Sequence, residues 1–175
     1  MEELTNENMA IEPQQLSIAW VRFILDVLET ILLAAILFLT INALSARVRV
    51  EGTSMVPTLQ NEEFVLVNRL AYQMGTHQRG DIIVFHHPSG QKEEDLIKRI
   101  IGLPGETVAF VNGHVLINGN ILDEPYEKSG YNWNSAPVTL GPNQYYVVGD
   151  NRSMPAGDHV HGVFERTQIV GKALL

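Results

Sequence analysis

A chain of 175 residues suffices for one hydrophobic core with an appendage and falls short of two full domains. Twenty acidic against twelve basic side chains leave a formal charge of −8, which excludes a nucleic-acid binder working through a basic surface, because phosphate contacts need clustered Lys and Arg. With no cysteine in the chain, disulfides, thiolate metal sites, iron–sulfur clusters and cysteine nucleophiles are excluded together.

In chain order, the first element is residues 30–46 (TILLAAILFLTINALSA), an uncharged apolar run that just reaches the ~17–25 residues a membrane-spanning helix needs. A buried core helix and a cleaved secretory signal are the other readings of such a run. The flank speaks against a signal: residues 1–29 carry Glu2, Glu3, Glu7, Glu12, Asp26 and Glu29 against Arg22 alone, whereas a signal peptide begins basic. The reading is a retained anchor over 30–46, preceded by a tail over 1–29 whose part 18–29, with Trp20, extends the helix or lies in the membrane interface. Arg47 and Arg49 follow the anchor directly. On charge alone the positive-inside rule puts that side in the cytoplasm.

After the anchor the pattern changes to short β-rich runs at 48–50, 64–67, 82–85, 108–111, 115–117 and 145–148. Val111-Asn112-Gly113-His114 is a two-residue hairpin signal, and Ile117-Asn118-Gly119-Asn120 turns the chain again. The expected fold is mainly β: an antiparallel β catalytic domain over 47–175 with one N-terminal transmembrane helix. Residues 124–142, rich in Pro, Gly, Ser and Asn, are expected to form a long irregular loop.

Three segments can carry chemistry. In Gly52-Thr53-Ser54-Met55-Val56-Pro57-Thr58-Leu59 a serine sits between Gly and Pro on a bent, accessible backbone, although an ordinary polar turn has the same composition. In Asp95-Leu96-Ile97-Lys98-Arg99-Ile100-Ile101 a lysine lies inside an apolar stretch, and as a strand residue it shares a face with Leu96 and Ile100. Burial there lowers its pKa, so that a neutral amine can take a serine's proton. A snorkelling lysine, or one paired with Glu93, Glu94 or Asp95, is the structural alternative. Val148-Gly149-Asp150-Asn151-Arg152-Ser153 is a strand running into a polar turn, able to scaffold a catalytic loop or simply to end a strand. The His86-His87 pair and His159-Val160-His161 lack the spacing of a metal hydrolase, and no metal or cofactor is expected.

In order, these segments resemble the bacterial type I signal peptidases. Ser54-Met55-Val56-Pro57-Thr58-Leu59 looks like the nucleophile box, and Arg79-Gly80-Asp81-Ile82-Ile83-Val84-Phe85 looks like the strand block after it. Lys98 to Glu106 resembles the general-base box, and Gly149-Asp150-Asn151-Arg152 opens the last one. The resemblance implies a membrane-anchored serine endopeptidase that removes N-terminal signal peptides from exported preproteins. Ser54 would be the nucleophile and Lys98 the general base, with the Ser54 backbone N–H stabilising the oxyanion. It further implies a substrate bound as an added strand, with small residues at the first and third positions before the cut. By position Val50, Met55, Leu59, Leu96 and Ile97 would line its pockets, or else belong to the core. The partners implied are preproteins with small-x-small sites and membrane lipid. The catalytic domain of a plasma-membrane anchor would face away from the cytoplasm, against the arginine count.

The last box departs from the family pattern. Pro155 stands where the family has the serine that holds the lysine, Gly157 replaces an aspartate, and Gly52 stands where some members add a hydroxyl to the oxyanion site. Asp150, Asn151 and Arg152 are expected to support the site. Ser153 or Asp158 is expected to take over the orienting role, with His159 where the family has Arg or His. The alternative from another class is a catalytically weakened relative that binds exported chains or a partner without cutting.

Overall fold

The computed structural model describes residues 13–72, 75–89, 92–128, 130 and 132–174, so the first twelve residues of the expected tail lie outside it. One helix, α1 (Pro13–Leu44), is followed directly by β1 (Ser45–Arg49). The helix runs through much of the expected tail, and the first strand begins two residues before position 47. Its apolar side chains from Trp20 to Ile41 are exposed all round. The stretch Trp20–Asn42, with mean hydropathy 2.4, is long and apolar enough to cross a membrane, and an all-round apolar surface needs lipid rather than water around it.

The chain from Leu44 onward forms a separate β unit. Its strands are β2 (Phe64–Asn68), β3 (Ile82–Ser89), β4 (Lys92–Gly102), β5 (Thr107–Val111), β6 (His114–Ile117), β7 (Asn120–Ile121), β8 (Val138–Thr139), β9 (Gln144–Val148), β10 (Gly162–Glu165) and β11 (Ile169–Leu174). Seven make one sheet in the order β1-β2-β11-β3-β4-β9-β10, and four make a second in the order β7-β6-β5-β8; the paired strands run antiparallel. Both expected Asn-Gly turns form, with φ of 52° and 83° at Asn112-Gly113 and 51° and 84° at Asn118-Gly119. Positive φ at both central residues matches the right-handed twist of the flanking strands.

The expected loop over 124–142 is less irregular than its composition suggests. Val138–Thr139 pairs with β5, and Trp133 is buried with Phe110, Val115 and Leu140 between the sheets. β3 shows why apolar runs here do not alternate: Ile82 and Val84 enter one core cluster with Val50, Met55, Leu59 and Ile97. Ile83 and Phe85 enter another with Ile100, Tyr145 and Phe164. Both faces of that strand are covered over residues 82–85, so each of these four positions is apolar.

β9 pairs with β4 only from Arg99 onward, which leaves the edge of β4 over residues 94–98 without a strand on that side among the described residues. β1 ends the sheet on its far side. Although three strands separate β1 from β4, residues of both line one cleft, so the sheet curls until two open edges face each other.

Candidate active site

The cleft has a volume of about 490 Å³, and its walls include Val48 to Glu51, Ser54, Met55, and Glu94 to Lys98. Val50, Met55, Leu96 and Ile97, four of the residues expected to line substrate pockets, border this cleft. Leu59 is not: it is 1% exposed and packs with Val65 and Val67 inside the core. The turn that presents Ser54 folds Leu59 back beneath it, its N–H donating to the Met55 carbonyl at 3.0 Å.

Ser54 follows Gly52, whose φ of +89° bends the chain out of β1. The Gly52 N–H is held by Asn61 Oδ1 at 2.8 Å. From β4, Lys98 reaches across, and its Nζ donates to Ser54 Oγ at 2.7 Å. Lys98 is 4% exposed. Desolvation lowers its pKa to about 8, against an opposing pull from the Asp150 carboxylate. An amine with that value is substantially neutral at mildly alkaline pH and can accept a hydroxyl proton.

The turn at the end of β9 ties the Ser54 loop to β4. Asn151 donates its backbone N–H to the Ser54 carbonyl and its Nδ2 to the Thr53 carbonyl, each at 3.0 Å. Asp150, fully buried, accepts from Arg99 Nε at 2.8 Å and Nη2 at 2.6 Å, and from Thr58 Oγ1 at 2.5 Å. The bidentate pair anchors the residue next to Lys98, while Thr58 ties in the loop that carries Ser54. Arg152 donates to the Gly149 carbonyl at 2.7 Å and pairs with Glu124 at 2.7 Å, both side chains 2% exposed. Glu124 lies in the stretch expected to be a loop, and nothing in its local sequence marks it as the partner of a buried arginine.

The expected substitute for the missing serine does not materialise. The Ser153 hydroxyl donates to Asn151 Oδ1 instead of reaching Lys98, because residue 153 still belongs to the turn that Asn151 organises. Asp158 is exposed at the end of a short 3₁₀ turn, Ala156–Asp158. That turn instead carries the next residue, His159, inward to 4% exposure with its ring edge-on to Trp133, 5.3 Å between centroids. His161 stacks at a tilt on the same indole at 5.0 Å. Among the described residues no three His, Asp or Glu side chains converge as metal ligands.

The strand block over 79–85 has a structural part. Arg79 donates to Glu106 at 2.5 Å and to the Ile101 carbonyl. Asp81 accepts from Tyr72 at 2.9 Å and Lys172 at 2.5 Å, closing β11 onto the sheet. Burial pushes both carboxyls up, but hydrogen bonds from Lys172, the Gln78 N–H and Tyr72 to Asp81, and from Arg79 and the Leu103 N–H to Glu106, hold both below the usual range.

Against known proteins, the family described as signal peptidase, peptidase S26, matches residues 20–175. The chain belongs to the signal peptidase family. A signal peptidase I from Leptolyngbya laminosa is 36% identical over 159 residues, spanning 87% of this chain and 78% of its own. Signal peptidase I S of Bacillus subtilis is 38% identical over 162 residues and 85% of either chain. Among solved structures, a signal peptidase I from Enterococcus faecalis is 30% identical and covers 57% of this chain and 97% of its own, with TM-score 0.43. As a member of this family the protein is a serine endopeptidase, and its reaction is signal-peptide removal. The apolar helix Trp20–Asn42 accords with a membrane anchor.

Proposed function

We propose that Ser54 and Lys98 form the catalytic dyad and that the substrate is an exported preprotein cut after a small-x-small sequence. The 2.7 Å contact between Lys98 Nζ and Ser54 Oγ, inside a cleft bordered by two open strand edges, carries this reading. With Lys98 neutral, the hydroxyl proton passes along that contact to Nζ as Oγ attacks the scissile carbonyl. The resulting ammonium then protonates the leaving amine. The Ser54 N–H makes no hydrogen bond to another described residue, which leaves it available to the oxyanion. Gly52 supplies no side-chain donor.

An extended chain in the cleft pairs its backbone with the free edge of β4, and alternate side chains fall against Val50, Met55, Leu96 and Ile97. Preproteins emerge on the far side of the membrane from the cytoplasm, so the β unit faces that side. Cleavage of a precursor with an Ala-x-Ala site by the detergent-solubilised full chain tests the reading. Wild type is expected to release the signal peptide at that site and Ser54→Ala to release none. Well-folded wild type that binds the precursor without cutting it would instead mark a binding relative.

A further inference from the structure

Outside the dyad, the most constrained point of the site is Gly149. A side chain there would collide with the Ser54 carbonyl oxygen and with Nε2 and Cε1 of His159. The backbone at 149 is therefore packed directly against both the nucleophile's carbonyl and an imidazole edge. Gly149 donates its N–H to His159 Nε2 at 3.1 Å. The next two residues bind the other parts of the machinery: Asp150 takes Arg99 and Thr58, and Asn151 takes the carbonyls of Thr53 and Ser54. A shift of the 149–151 turn would move the nucleophile relative to the strand that carries the base.

We propose that His159 is a positioning residue, acting as a neutral hydrogen-bond acceptor that fixes the Gly149 N–H and through it the separation of Ser54 from Lys98. This rests on the dyad reading above and deepens it, since the expected orienting residues Ser153 and Asp158 do not reach the lysine. An acceptor at Nε2 requires the ring proton on Nδ1; an imidazolium would set an N–H against the Gly149 N–H and open the contact. The groups around the ring keep it neutral: desolvation first, then Lys98, His161 and Arg152, hold its pKa down to about 3. The edge-on Trp133 fixes the ring plane. Misplacing a nucleophile by a fraction of its hydrogen-bond length lowers turnover far more than substrate affinity, because only the attack geometry changes.

Two polar variants of the full chain separate this role from packing. Glutamine can set its Oε1 where Nε2 stands, while the Oδ1 of asparagine falls one bond short. His159→Gln is expected to keep kcat within about threefold of wild type and to leave the Gly149 amide protected from hydrogen exchange, measured residue by residue. His159→Asn is expected to lose about 10- to 100-fold in kcat, with KM and the midpoint of the pH–rate profile unchanged and the Gly149 amide exposed. Equal kcat in wild type and both variants overturns the proposal. So does an equal loss in both with a matching fall in Tm, which would leave the ring as packing alone, and so does a shifted pH midpoint, which would place the effect on Lys98. If wild type cuts no precursor, the dyad reading fails, and Gly149 exchange still decides the contact: equal protection in both variants overturns it.

Discussion

Lys98 and Arg99 are consecutive cations on β4, both almost completely buried at 4% and 8% exposure, and the two sides of that strand treat them in opposite ways. Arg99 turns toward the fully buried Asp150, which accepts two of its N–H groups, and its guanidinium lies 3.8 Å over the Tyr126 ring. Lys98 turns into the cleft and meets a hydroxyl. A guanidinium with a bidentate carboxylate stays charged and serves as a clamp. An ammonium buried with only a hydroxyl beside it is pushed toward its neutral form, in which it can accept a proton. Burial is common to both, and the partner separates a structural cation from a chemical one.

The sharpest way to break that contrast is Lys98→Met. Removing the base is expected to lower kcat/KM by about 1000-fold or more. The same variant is expected to melt several degrees higher at pH 6 to 7. The folded-state pKa of about 8 lies below the free-lysine value near 10.4, so the folded protein binds a proton there less readily than the unfolded chain. That group's stability is present above the unfolded value and is lost as pH falls through 8. The methionine variant lacks this slope, which thermal melts at pH 7 and 10 will read.

On the other side of the strand, Asp150→Ala leaves Arg99 buried without its anion and is expected to cost about 3–5 kcal/mol in urea unfolding. Within the cleft, Leu96→Trp should lower kcat/KM for an Ala-x-Ala precursor by about 10- to 100-fold through steric exclusion while the melting temperature barely moves. At the bottom of the scale stands Arg49–Glu62, an ion pair whose side chains are 50% and 68% exposed. Glu62→Ala is expected to change stability by less than about 1 kcal/mol in the same urea titrations.

What could be read from the sequence follows the range of the interactions. The Asn-Gly hairpins, the apolar helix and the strands over 64–67, 108–111, 115–117 and 145–148 are local patterns, and they form. The insertion of β11 between β2 and β3 and the pairing of Val138–Thr139 with β5 depend on partners far along the chain, which no local period announces. The site divides in the same way. Ser54 and Lys98 stand in recognisable surroundings and meet in space. Leu59, apolar and close to Ser54, looks in sequence like a pocket residue, and only tertiary packing sends it into the core. The Glu124–Arg152 pair and the seat of His159 on Gly149 depend on a stretch that reads as loop and on a turn altered by Pro155 and Gly157. Their contacts cross between elements and leave no periodic trace.

Whether Lys98 is the base is read from the pH dependence of kcat/KM for precursor cleavage by wild type between about pH 6 and 10. With Lys98 as the base, the rate climbs roughly tenfold per pH unit at the acid end and levels off above a midpoint near 8, the value to which burial brings Lys98. A flat profile, or a midpoint near the ordinary histidine value of about 6.5, would contradict it and take the role of base away from Lys98.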